Sequence, residues 1–112
     1  MAHESSIFHR DIRWDNVLRK REEPTKWFLI DWEDSSIGMG VAAPHFNKDT
    51  HSPDVFKNGH GAEVDIWGVG FLMSSCKSSD ITPRLKEFGR EICNSSKEFS
   101  AEKVLERLGQ FR

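Results

Sequence analysis

The stretch AEVDIWGVGFLMSSC, residues 62–76, decides the fold. Apolar residues surround most of its helical wheel, which predicts a helix buried on nearly every side. Gly68 and Gly70 interrupt it. Each glycine costs about 1 kcal/mol of helix propensity against alanine, so their presence points to another backbone packed closely there. Toward the C-terminus, Thr82-Pro83 is a helix start, a hydroxyl cap followed by proline in the first turn. Leu85, Phe88, Ile92 and Cys93 then share one face. Ser100 caps a last helix, with Glu102 in the first turn where negative charge is favoured. Ala101, Val104, Leu105 and Leu108 line its inner side, and Gly109 suits its end. Helices are therefore expected at about 62–76, 83–94 and 100–109.

Toward the N-terminus the pattern changes. Residues 31–61 show little periodicity and are punctuated by Gly38, Gly40, Pro44, Pro53, Gly59 and Gly61. A stretch of about 30 such residues is uncommon in a compact domain and is usually functional or mobile. Val17–Arg19 and Lys26–Ile30 read as short strands joined by the polar turn Lys20–Thr25, which carries Pro24, so a hairpin is expected. Residues 7–18, IFHRDIRWDNVL, have neither helical nor strand period. They read as a loop carrying polar work, anchored by Ile7, Phe8, Ile12 and Trp14. The fold class is thus mainly α with one small β-hairpin.

Composition bounds the function. With 112 residues and 37% hydrophobic content the chain is one small domain, and eight Phe and four Trp favour a globular one. A net charge of −2 excludes a broadly basic nucleic-acid binder. No apolar run reaches the length of a membrane span, and the N-terminus lacks the pattern of a signal peptide. Neither nucleic acid nor membrane is an expected partner. Cys76 and Cys93 cannot form a secreted-type disulfide framework, so two free thiols in a reducing compartment, cytoplasm or nucleus, are expected. His45, His51 and His60 fit no common zinc spacing. Arg19-Lys20-Arg21 runs into Glu22-Glu23 and reads as a solvated turn.

Chemistry concentrates at the front. His9-Arg10-Asp11 is followed by Asn16, five residues after Asp11, and Asp31 directly follows the second strand. A carboxamide and a carboxylate from these two places are hard oxygen ligands of the kind Mg²⁺ takes together with substrate phosphates. Asp11 is then left to accept a proton from a substrate hydroxyl, and Arg13 to supply positive charge to a transferred phosphoryl group.

These residues resemble the protein kinase family. His9-Arg10-Asp11 with Asn16 is similar to the catalytic loop H-R-D-x-x-x-x-N. Asp31 stands where the D-F-G aspartate would, Ser52-Pro53-Asp54 looks like A-P-E, and Asp65-Ile66-Trp67-Gly68-Val69-Gly70 matches the D-x-W-x-x-G of the central helix of the C-terminal lobe. The motifs keep family order over residues 7–76, and the wording IDWED with HGAEVDIWGVGFLM is most similar to fungal kinase-like proteins. The resemblance implies a catalytic loop at 9–16, a metal-binding element at 31–33 and an activation segment at 31–54. It makes Asp11 the base and gives Asn16 and Asp31 the metal that bridges the phosphates of ATP. It gives Arg13 a charge role near the γ-phosphate and makes His9 structural. Arg10 would read a phosphate on Ser35, Ser36 or Thr50. Asp65 would accept hydrogen bonds from the catalytic-loop backbone; apart from the resemblance, Trp67 and the run Phe71-Leu72-Met73 read as core rather than partner surface.

Departures from the family carry expectations of their own. Glu33 stands at the glycine of D-F-G, a spelling shared with small-molecule phosphotransferases of the aminoglycoside and choline kinase type. Asp54 replaces a glutamate that pairs with an arginine, and Glu98 stands at that arginine's place, so either another cation such as Lys97 serves or the tie is absent. The short span from Asp65 to Glu98 implies one helix fewer. Only eight residues precede His9, so the resemblance implies a truncated C-terminal lobe without its N-lobe. Three functions follow: ATP-dependent phosphoryl transfer to protein Ser or Thr, a non-catalytic interaction module whose exposed lobe face takes a partner chain, and a small-molecule phosphotransferase relative.

Overall fold

A computed structural model describes residue 3 and residues 6–23, 26–79 and 81–110; Pro24 and Thr25 of the expected turn lie outside the described residues. In chain order the elements are β1 (Ile7–Phe8), β2 (Val17–Arg19), β3 (Trp27–Leu29), β4 (Ser36–Ile37), α1 (Glu63–Ser75), α2 (Pro83–Asn94) and α3 (Ala101–Gly109). Short 3-10 turns lie at Trp14–Asn16, Pro53–Phe56 and Ser96–Glu98. Among the described residues no helix is long and apolar enough to cross a membrane.

Helix α1 buries Val64, Asp65, Ile66, Gly68 and Gly70. Its glycines are where neighbours come closest. A Cβ on Gly70 would lie 2.7 Å from the carbonyl oxygen of Gly89 in α2, and one on Gly89 would lie 2.6 Å from that of Gly70. The two helices therefore touch backbone to backbone. A Cβ on Gly68 would lie 2.9 Å from Cβ of Ile12, so the same helix seats the 9–13 loop. Around this crossing Ile66, Phe88, Ile92 and Val104 form the core, with Val69, Met73, Phe99, Ala101 and Leu108 packed against it. Thr82 Oγ1 accepts from Leu85 N–H at 3.2 Å and Ser100 Oγ from Lys103 N–H at 3.2 Å, so α2 and α3 each start at a side-chain cap. Ile92 is fully buried. Ile92→Val is expected to cost about 1 kcal/mol in urea unfolding, the usual loss for one core methyl.

Two expectations about packing need correction. Leu105 is 61% exposed rather than on the inner side of α3. The buried stripe is centred on Val104, and Leu105 lies about 100° around the wheel from it. Trp14 is 48% exposed and does not anchor the loop, which is held instead by buried Phe8 and half-buried Ile7 and Ile12.

The β2–β3 ladder is antiparallel, pairing Val17 with Leu29, Leu18 with Phe28 and Arg19 with Trp27. Arg19 lies over the Trp27 ring at 5.4 Å, and Glu23 bonds both Lys20 and Lys26. Those ammonium groups, Lys26 first, hold the Glu23 carboxyl below its ordinary range. A second ladder was not expected: β1 pairs antiparallel with β4, Ile7 opposite Ile37 and Phe8 opposite Ser36. Strands of two residues are too short for alternation to show in a sequence. The aperiodic stretch is further ordered by a bridge between Gly40 and His60 and by a second core of Ala43, Val55 and Val64 with Phe46 and Phe56.

Candidate functional site

Asp65, in the first turn of α1, is 3% exposed. Its Oδ2 accepts from His9 N–H at 2.8 Å and its Oδ1 from Arg10 N–H at 2.7 Å. His3 Nε2 lies 2.8 Å from Oδ2. Two successive backbone N–H groups reach one carboxylate with Arg10 in the left-handed region, φ +73°. A non-glycine residue held there is strained, and such strain persists where the surroundings enforce it, here through the Asp65 bonds.

His9 links the loop to the hairpin. Its Nδ1 accepts from Asp11 N–H at 3.0 Å, so Nε2 carries the proton and donates to Ile30 O at 2.8 Å. Ile30 N–H in turn donates to Asn16 O at 2.8 Å. The Trp32 ring meets His9 edge-on at 4.7 Å. These bonds fix where Asp31 begins, one residue after Ile30, with φ +62° and an exposed side chain.

Asp11 is 6% exposed. Its Oδ1 has His51 Nε2 at 2.6 Å and Arg13 Nε at 2.9 Å. The arginine contact is ionic rather than an aligned hydrogen bond. Asn16 Nδ2 donates to Asp11 O at 2.8 Å and more weakly to Oδ2 at 3.3 Å. With its amide nitrogen so engaged, Asn16 has its carbonyl oxygen left as a ligand. Among the described residues no three His, Cys, Asp or Glu side chains group to hold a metal ion. A donor set of Asn16 and Asp31 still fits Mg²⁺, which binds through one or two protein oxygens and completes its shell with water and phosphate.

Arg10 is bonded within the protein. Its Nε donates to Asp34 O at 2.6 Å and its Nη1 to Val41 O at 2.8 Å. His60 Nδ1 faces Lys57 O at 2.7 Å and so carries the proton, leaving Nε2 to accept from Arg10 Nη1 at 3.2 Å. Ser35, Ser36 and Thr50 are not among these partners. Asp54 Oδ2 has Lys97 Nζ at 3.7 Å, and Lys97 is largely exposed. Such a pair contributes about 0–1 kcal/mol. Trp67 is half-buried, stacks on Phe71 at 5.2 Å, and accepts the Cys93 thiol proton on its carbonyl at 3.4 Å. Burial pushes the Cys93 thiol up to about 11, so it is not a nucleophile at neutral pH.

The structure thus gathers His9, Asp11, Arg13, Asn16 and Asp65 around one loop, brings the start of Asp31 to it through Ile30, and leaves Asp54 and Trp67 at a separate surface with Lys97. Sequence reasoning missed three histidines here, His3 on Asp65, His60 on Arg10 and His51 on Asp11, of which His51 meets the candidate base. It lies 40 positions from Asp11 and no local spacing marks it.

No protein-family model matches the chain, and no solved structure matches it. Among curated proteins the chain is similar to Crinkler effector protein 8 of Phytophthora infestans, 39% identical over 81 residues, covering 69% of this chain and 13% of that protein. It is 31% identical over 81 residues to calcium/calmodulin-dependent protein kinase type I of Schizosaccharomyces pombe, covering 62% of this chain and 23% of that kinase. It is 32% identical over 76 residues to serine/threonine-protein kinase DCLK3 of Homo sapiens, covering 63% of this chain and 12% of that kinase. The chain spans between 12% and 23% of the length of these three relatives. With a human kinase among them, a specifically fungal affinity does not follow. Over more than half of its length the chain is kinase-like.

Proposed function

We propose that these residues form the lower half of a phosphotransferase site of the protein kinase type, transferring the γ-phosphoryl group of ATP to a protein Ser or Thr hydroxyl. The observation that carries the reading is a buried Asp11 hydrogen-bonded to Asn16 on a loop hung from Asp65. The catalytic loop is 9–16, the metal-binding element 31–33 and the activation segment 31–54. Asp11 takes the proton of the accepting hydroxyl. Arg13, in contact with Asp11, places positive charge beside the reacting groups. Asn16 and Asp31 would hold Mg²⁺, which when bound neutralises charge on the phosphates. Groups that grip the adenine and the outer phosphates would come from residues beyond these 112 or from a partner chain.

The test is thermal unfolding with and without Mg²⁺-ATP, beside Asp31→Ala. Ligand at about 100 times its dissociation constant should stabilise by roughly 2.7 kcal/mol. A shift in the parent that the variant lacks supports the site, and equal behaviour of the two counts against it. A second reading, a non-catalytic interaction module, is favoured by an apolar groove of about 200 Å³ between α1 and α3, lined by Ile12, Ile66, Val69, Val104, Leu105 and Leu108. Asp11→Asn separates the two, because partner binding would survive it and phosphoryl transfer would not.

A further inference from the structure

The carboxylate of Asp11 is held unevenly. Oδ1 has two nitrogen partners, His51 Nε2 at 2.6 Å and Arg13 Nε at 2.9 Å, whereas Oδ2 has Asn16 Nδ2 at 3.3 Å. The His51 side chain is 6% exposed. Its Nδ1 lies 3.0 Å from Asn47 O and 3.0 Å from Thr50 Oγ1. A carboxylate can only accept, so Nε2 is the donor to Oδ1, while Nδ1 sits between a carbonyl and a hydroxyl that can itself donate. One face of the ring stacks on Phe46 at 4.3 Å and 8°. The imidazole is thus held at both nitrogens and on a face.

An aspartate carboxylate turns easily about its last torsion, whose profile is broad and two-fold. A base whose two oxygens exchange places has no fixed direction of proton transfer. We infer that His51 is a positioning residue for Asp11: by donating from Nε2 to Oδ1 it stops that rotation and leaves Oδ2 as the oxygen that takes the proton. Its catalytic purpose rests on the phosphotransfer reading; the clamp itself rests on the geometry above. Arg13 cannot replace it, because its Nε is not aligned to hydrogen-bond Oδ1. The clamp also joins the 47–51 stretch to the base, so moving that stretch frees Asp11.

The test uses the full chain in three forms beside the parent. His51→Phe keeps a ring on Phe46 and removes the Nε2 donor, His51→Gln keeps a donor, and Asp11→Ala removes the acceptor. In ¹⁵N–¹H spectra of the imidazoles, the parent should show an Nε2–H signal for His51, and Asp11→Ala should displace it while leaving the signal of His60 in place. In transfer of labelled phosphate from Mg²⁺-ATP to a basic protein, His51→Phe should lower kcat about 100-fold at unchanged KM, the loss typical of a misplaced reacting group. His51→Gln should recover much of it. A His51 signal indifferent to Asp11→Ala, or parent-like kcat in His51→Phe, overturns the proposal. If the parent transfers no phosphate, phosphotransfer by these 112 residues alone is overturned, and the ring signals alone decide the clamp.

Discussion

Asp65→Ala is expected to lower unfolding stability by about 4 kcal/mol, because it strips the acceptor from two backbone donors and leaves each with a desolvation penalty of about 1–3 kcal/mol. Those donors are the N–H groups of His9 and Arg10, at 2.8 and 2.7 Å from the carboxylate. His3 loses its partner as well. A small domain has only about 5–15 kcal/mol in total, so the variant should sit near the edge of folding. Asp65→Asn should do little better. An amide offers one oxygen where two donors converge, and its NH₂ then faces a second N–H. Urea unfolding of parent and both variants checks this, with amide exchange at His9 and Arg10 as the local reading. A loss below about 1 kcal/mol in Asp65→Ala, the net worth of one ordinary hydrogen bond, would show that the carboxylate does not hold the loop.

The same carboxylate shows what a sequence can and cannot display. Helices were legible because their signals are local: Thr82 and Ser100 are caps within three residues of their targets, and the apolar run from Val64 to Met73 is unbroken by charge other than Asp65. The β2–β3 hairpin was legible for the same reason. Pairing of β1 with β4 was not, because it joins residues about thirty apart through ladders too short to have a period. Exposure of Leu105 escaped because a helical wheel gives a face its direction but not its width.

At the candidate site the division runs the same way. Asp11 and Asn16 are five apart, and their contact follows from one tight turn. His51 is placed by the path of the whole 31–54 stretch, which the Gly40–His60 bridge, the Arg10 bonds and the Val55 core set together. Those constraints reach from Arg10 to Val64, so no local pattern announces His51. Arg10 illustrates a further limit: its guanidinium bonds two carbonyls of that same stretch, a structural tie that an arginine in a loop does not announce. The tie and the His51 clamp act on one segment, so both would loosen together if the 34–51 stretch moved.

Gly70→Ala and Gly109→Ala should change stability in opposite directions. Both replacements cut the freedom of the unfolded chain alike, and both improve intrinsic helix propensity by up to about 1 kcal/mol. What separates them is space. At Gly109, the last residue of α3, an added Cβ meets nothing within 4 Å among the described residues, so the variant should gain about 0.5–1 kcal/mol. At Gly70 the Cβ would lie 2.7 Å from Gly89 O and 2.9 Å from Cβ of Ile92. The first is backbone and cannot turn aside, so α1 and α2 must separate. Separation loosens Phe88 and Ile92, whose full burial is worth about 1.5–3 kcal/mol each. A net loss of about 3 kcal/mol follows, at the upper end for an overpacked core. Gly89→Ala should behave like Gly70→Ala, since its Cβ meets Gly70 O at 2.6 Å. Urea midpoints for the three variants decide it. If Gly70→Ala proved as stable as Gly109→Ala, the two helices would not be crossing on their backbones, and Asp65 would owe its position to something other than the α1–α2 pair.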